Sequence, residues 1–64
     1  MRTWLKDIRE RQKMNTYEAA DAAGISQSYY SSIENGRRGN PLNVDIAKKI
    51  AEALGFEWTR FYEE

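Results

Sequence analysis

Asn15-Thr16-Tyr17-Glu18-Ala19-Ala20-Asp21-Ala22-Ala23-Gly24-Ile25-Ser26-Gln27-Ser28-Tyr29-Tyr30-Ser31-Ser32-Ile33-Glu34-Asn35-Gly36 contains helix starts and helix stops in close succession. Asn15 followed by Glu18 is a capping-box pattern: the Asn15 side chain accepts from the backbone three residues on, and Glu18 reaches back to Asn15. Met14 stands where a staple residue belongs. A helix over Thr16–Ala23 follows, and Gly24 stops it because the left-handed region carries no penalty for a residue without a Cβ. Ile25 then plugs the core. Ser26 is a second N-cap, structural rather than base-contacting, and opens a helix over Gln27–Asn35 that Gly36 closes. Two short helices joined by a glycine-centred turn form a helix-turn-helix. The small side chains of Ala19, Ala20, Ala22 and Ala23 let a neighbouring helix approach closely.

The second of these helices divides into two faces. At about 100° per residue, Ser31, Asn35, Ser28 and Ser32 fall roughly 40° to 140° from Gln27, while Tyr29, Ile33 and Tyr30 fall roughly 200° to 300° away. The first face is polar, short and uncharged; the second is aromatic and aliphatic. A face selected only for solubility would carry Lys and Glu, which also form helices better than Ser or Asn. Short hydroxyls and amides are able to enter a major groove and hydrogen-bond base edges. Gln27, Ser28, Ser31 and Ser32 are therefore the candidate base-contacting residues. Tyr29, at the boundary of the two faces, is a phosphate candidate through its hydroxyl.

Toward the N-terminus, Trp4, Leu5 and Ile8 share one side of a helix expected over Arg2–Lys13. Val44, Ala47, Ile50, Ala51 and Leu54 form the apolar stripe of another, capped by Asn43 and ended by Gly55. The longest irregular stretch is Arg37-Arg38-Gly39-Asn40-Pro41-Leu42. Residues 57–62 form one last helical turn, and Trp58, Phe61 and Tyr62 cover the open side of the core. Lys48 and Lys49 read as a solvated face. The fold class is all-α, with residues 1–64 as a single domain and the helix-turn-helix at about 16–35.

Composition narrows the function further. The 64 residues include no Cys and no His, so disulfides, thiolate metal sites and histidine acid–base chemistry are excluded. No metal or other cofactor and no small-molecule ligand is expected. No Gly-rich phosphate loop follows a strand, and the carboxylates lie on exposed helix faces, so an enzyme is not expected. No apolar run is long enough to span a bilayer, and Met1-Arg2-Thr3-Trp4 lacks a signal-peptide core, which points to the cytoplasm. The formal net charge is zero, which by itself argues against nucleic acid. The charge is uneven, however. Residues 1–40 hold seven Lys and Arg against five acids, and residues 41–64 hold three against five. A binding face depends on local charge.

With the Asn15–Gly36 stretch, Leu5-Lys6-Asp7-Ile8-Arg9 and Ala47-Lys48-Lys49-Ile50-Ala51-Glu52-Ala53-Leu54-Gly55 complete a resemblance to the Cro/repressor-type (XRE-like) helix-turn-helix family over nearly the whole chain. Gly24-Ile25-Ser26-Gln27-Ser28-Tyr29 and Ile33-Glu34-Asn35-Gly36 carry it in combination. The ending Phe56-Glu57-Trp58-Thr59-Arg60-Phe61 resembles short regulators of Gram-positive bacteria and their phages. The resemblance implies a compact five-helix bundle of the lambda-repressor-like type. It implies that Gln27 reads adenine, that Ser28 and Ser32 face bases, that Thr16 lies near a phosphate, and that Asn35, Arg37 and Arg38 contact the backbone. The chain departs from the family pattern at Ala19 and Ala23, where larger aliphatics are common, so Trp4, Tyr30 or Trp58 must fill the core. The 37–42 loop is about two residues longer than usual, and Ser31 and Ser32 stand where Lys or Arg is frequent.

The expected function is a sequence-specific regulator, a repressor by resemblance, that binds double-stranded DNA as a homodimer on a pseudo-palindrome and is nucleoid-associated when bound. The alternative is a protein-interaction module on the same fold, of antitoxin or anti-regulator type, for which the polar face would be incidental.

Overall fold

A computed structural model describes residues 2–38 and 42–63. In chain order they form α1 (Thr3–Arg11), α2 (Thr16–Ala23), α3 (Gln27–Glu34), α4 (Val44–Leu54) and a 3-10 helix (Trp58–Tyr62), with no strand among the described residues. The expected count of five helices becomes four α-helices and a 3-10 helix. The longer loop expected after α3 runs through residues 39–41, which lie outside the described residues.

Local signals set most boundaries. Asn15 and Glu18 form both halves of the capping box, with bonds of 2.8 and 2.9 Å. The Asn43 side chain accepts from the Asp45 and Ile46 N–H groups to open α4. Gly24 closes α2 at φ 72°, and a Cβ there would meet nothing within 4 Å. The demand for glycine is therefore one of backbone conformation, not space.

The expected span of the first helix is too long at both ends. Arg2 lies outside α1, because its N–H donates across the molecule to the Glu34 carbonyl at 2.8 Å. At the other end Lys13 sits at φ 59°, the left-handed geometry that glycine usually supplies, so the helix stops at Arg11. α3 ends at Glu34, with Asn35 as its C-cap.

The core forms where α2 packs on both α3 and α4. Leu5, Ala19, Ala20, Ala23, Tyr30, Ile33, Ala47, Ile50 and Leu54 are buried there. Tyr30, fully buried on α3, shares one core cluster with Ala19, Ala20 and Ala23 of α2. Trp4 is half-buried and packs edge-on against Phe56 and Phe61, at centroid distances of 5.4 and 5.2 Å. Trp58 and Phe61 also pack on the core only partly buried. Tyr62 departs from its expected core position: it is exposed, and its hydroxyl donates to the Leu42 carbonyl. The amphipathic ring packs at the edge while its polar tip stays within reach of backbone. Lys48 lies over the Trp58 ring at 5.2 Å, so it is not simply solvated.

Candidate nucleic-acid interface

α3 presents its polar face outward because Tyr30 and Ile33 are drawn into the core. Its first turn is built from neighbouring residues. Ser26 Oγ accepts from the Tyr29 N–H at 3.1 Å, satisfying one donor left free at the helix start. Gln27 is exposed, and its Nε2 donates to Thr16 Oγ1 at 2.9 Å across the turn. This bond fixes the amide plane. It occupies one Nε2 hydrogen and leaves the other, with Oε1, as a donor–acceptor pair.

Ser28 is exposed. Ser32 Oγ donates to the Ser28 carbonyl at 2.9 Å, which spends the hydroxyl hydrogen and leaves its lone pairs to accept. Ser28, Tyr29, Ser32 and Arg38 line an open cleft of about 200 Å³ together with Ser26, so the residue expected only to cap also shapes the surface. The Arg38 guanidinium lies over the Tyr29 ring at 6.0 Å. The backbone N–H groups of Arg37 and Arg38 both donate to the Ser32 carbonyl, at 2.9 and 3.3 Å, folding this turn back onto α3. Of the remaining candidates, Asn35 and Arg37 are exposed and Ser31 is half-buried; none of them lines the cleft.

The far end of α3 rests on residues that the sequence pattern does not single out. Arg9 Nε and Nη2 donate to Glu34 Oε2 and Oε1 at 3.0 and 3.1 Å, and Arg9 Nη1 donates to the Met14 carbonyl at 2.8 Å. This forked pair is buried, which makes its geometry rigid. The Glu34 hydrogen bonds raise the Arg9 guanidinium above its ordinary range despite burial. Among the described residues, the Tyr30 hydroxyl is buried near the pair with no atom in hydrogen-bonding geometry. Burial, and then the Glu34 carboxylate, push this phenol well above its ordinary value. The one hint available in the sequence is angular: Glu34 falls at the border between the polar arc and Tyr30, where a charge needs a partner.

Residues 5–61 match the family model described as helix-turn-helix. The chain belongs to the helix-turn-helix family. Over its whole length this helix-turn-helix chain is 48% identical to YqaF of Bacillus subtilis, described as an uncharacterized HTH-type transcriptional regulator, of which it covers 82%. It is 44% identical over 50 residues to the HTH-type transcriptional repressor RghR of the same organism, covering 78% of this chain and 36% of RghR. It is 40% identical over 50 residues to the uncharacterized HTH-type transcriptional regulator RghRB, also of Bacillus subtilis, covering 78% of this chain and 35% of that relative. No solved structure gives a significant match. Among the described residues no helix is long and apolar enough to cross a membrane.

Proposed function

We propose that this chain, a non-enzymatic DNA-binding transcriptional regulator of the helix-turn-helix family, reads a short half-site by placing α3 in the major groove. The observation that carries the reading is the Gln27–Thr16 bond. It holds an exposed amide at the start of α3 with one donor and one acceptor free, the pair that matches adenine N7 and N6. Ser32, with only lone pairs left to offer, suits an amino group of adenine or cytosine. Ser28 and Ser31 extend the base-facing arc. Thr16, Tyr29, Asn35, Arg37 and Arg38 surround it as phosphate contacts that set register without reading sequence.

The arc itself is uncharged, so a single copy has few cations for phosphate. A homodimer doubles them and places two recognition helices about 34 Å apart on one face of a pseudo-palindrome. The named repressor among the relatives supports repression as the output, exerted in the cytoplasm at the nucleoid. Selection of bound sites from random duplexes tests the whole reading, because it returns the half-site, its symmetry and its spacing. Gln27→Ala is expected to cost about 1–3 kcal/mol on the selected site and to relax preference at one base pair. Equal losses on selected and random DNA would remove the base-reading role. Failure to bind any duplex at tens of micromolar would favour a protein-interaction module instead.

A further inference from the structure

α3 has no basic residue in its own last turn, although its final carbonyls carry the negative end of the helix dipole. The segment ahead of α1 supplies the cation. Arg2 Nη1 donates to the Ile33 carbonyl at 2.5 Å and to the Arg38 carbonyl at 3.3 Å, while the Arg2 N–H donates to the Glu34 carbonyl at 2.8 Å. The same guanidinium lies over the Phe61 ring, 5.7 Å from its centroid. The turn carrying Arg38 is thus fastened from two directions, by Ser32 beneath and by Arg2 across the molecule. A planar guanidinium satisfies two carbonyls and a ring face together; an ammonium on a flexible stem does not hold that geometry.

We propose that Arg2 is a positioning residue for DNA binding: its guanidinium, held between the Phe61 ring and the carbonyls of Ile33 and Arg38, sets where the Arg38 side chain meets the phosphate backbone. This role rests on the reading of α3 given above.

The test compares wild type, Arg2→Ala, Arg38→Ala and the double variant on selected and random duplexes over a salt series. Binding is measured at a temperature where circular dichroism shows each protein fully folded. Arg2→Ala is expected to weaken both duplexes roughly five- to tenfold and to lower the salt slope by about 0.9, the share of one phosphate contact. In the Arg38→Ala background it is expected to add little, because both changes remove the same contact. Independent, additive losses would overturn the proposal, since Arg2 would then act on DNA by itself. Arg2→Lys keeps the charge but not the planar guanidinium that lies over Phe61 while Nη1 reaches both carbonyls, and is expected to behave like Arg2→Ala; wild-type binding by Arg2→Lys would also overturn it. Should Arg2→Ala fail to fold, the Arg2→Lys cycle with Arg38→Ala carries the same outcomes. A second measurement needs no DNA. In NMR spectra of the Arg2 variants the Arg38 Nε–H and the backbone amides of residues 36–38 are expected to shift while Ser26 and Gln27 do not, and unmoved Arg38 signals would overturn the proposal. If the wild type binds no duplex, the DNA reading of α3 fails and this role with it, and the NMR measurement separates that failure from a failure of the Arg2 clamp itself.

Discussion

At its first turn α3 is held by its near neighbours: Ser26 bonds Tyr29 three residues on, and Gln27 reaches Thr16 across 11 residues. At its last turn the same helix is held by α1 and the segment before it, with Arg9 on Glu34 across 25 residues and Arg2 on Ile33 across 31. The contacts at the first end are exposed; the Arg9–Glu34 pair at the second is buried. The difference is consistent with the proposed function. Under the proposed function, the end that would enter the groove must keep its polar groups in reach of a ligand, and it is held by modest local bonds. The end that faces the protein anchors the helix, and there desolvated charges bind each other tightly. Exposed caps are worth about 1 kcal/mol, whereas opening one side of a buried ion pair costs about 3–5 kcal/mol.

The largest effect expected is therefore at the buried end. Glu34→Ala leaves Arg9 charged and unpaired, and urea unfolding should register a loss of about 3–5 kcal/mol. Replacing both partners, Arg9→Leu with Glu34→Leu, should recover most of it, because no uncompensated charge remains. A loss below about 1 kcal/mol for Glu34→Ala would show that the pair behaves like a solvated one, and the contrast between the two ends would collapse. Ser26→Ala comes next, at about 1 kcal/mol in the same assay. A cost equal to that of Glu34→Ala would break the comparison from the other side.

Tyr30→Phe probes the buried end more finely. It deletes a hydroxyl that has no hydrogen-bond partner among the described residues, so stability at neutral pH should stay level or rise by up to about 1 kcal/mol. The folded-state phenol is raised above its ordinary value of 10.0. Its contribution is complete below that pH and is lost as pH rises beyond it, since the unfolded chain ionises first. Urea midpoints taken from pH 8 to 11 should fall more steeply for wild type than for Tyr30→Phe; parallel curves would remove Tyr30 as the cause. Thr16→Val is the smallest change in stability, within about 0.5 kcal/mol. Loss of the hydroxyl should weaken all duplexes alike through the phosphate contact, and release of the Gln27 amide should in addition broaden preference at one base pair. A specificity profile identical to wild type would mean that Gln27 does not depend on Thr16.

What was legible in the sequence follows the same division. Asn15, Ser26 and Asn43 as caps, and Gly24, Gly36 and Gly55 as stops, are read directly because each signal acts within one turn. Periodicity extends the first helix too far because Lys13 takes a left-handed geometry usually left to glycine and the Arg2 N–H is drawn to the Glu34 carbonyl. The ring of Tyr62 alone points to the core, whereas its hydroxyl has a carbonyl partner at the edge. Within the candidate site, the polar arc was visible by angle, but the Gln27–Thr16 and Ser32–Ser28 bonds were not. Spacing locates side chains on a face and does not decide which of their hydrogens are spent.

The helix-turn-helix, its caps and stops, and the uncharged polar face running from Gln27 to Ser32 are written in the order of residues. These depend on backbone preferences and periodicity, which are local. Tertiary structure alone decided how the last turn of α3 is held. Arg2 and Arg9 lie far along the chain from Glu34, and each of the three reads singly as a surface charge. Only packing removes the water around Arg9 and Glu34 and turns those two charges into a fixed pair.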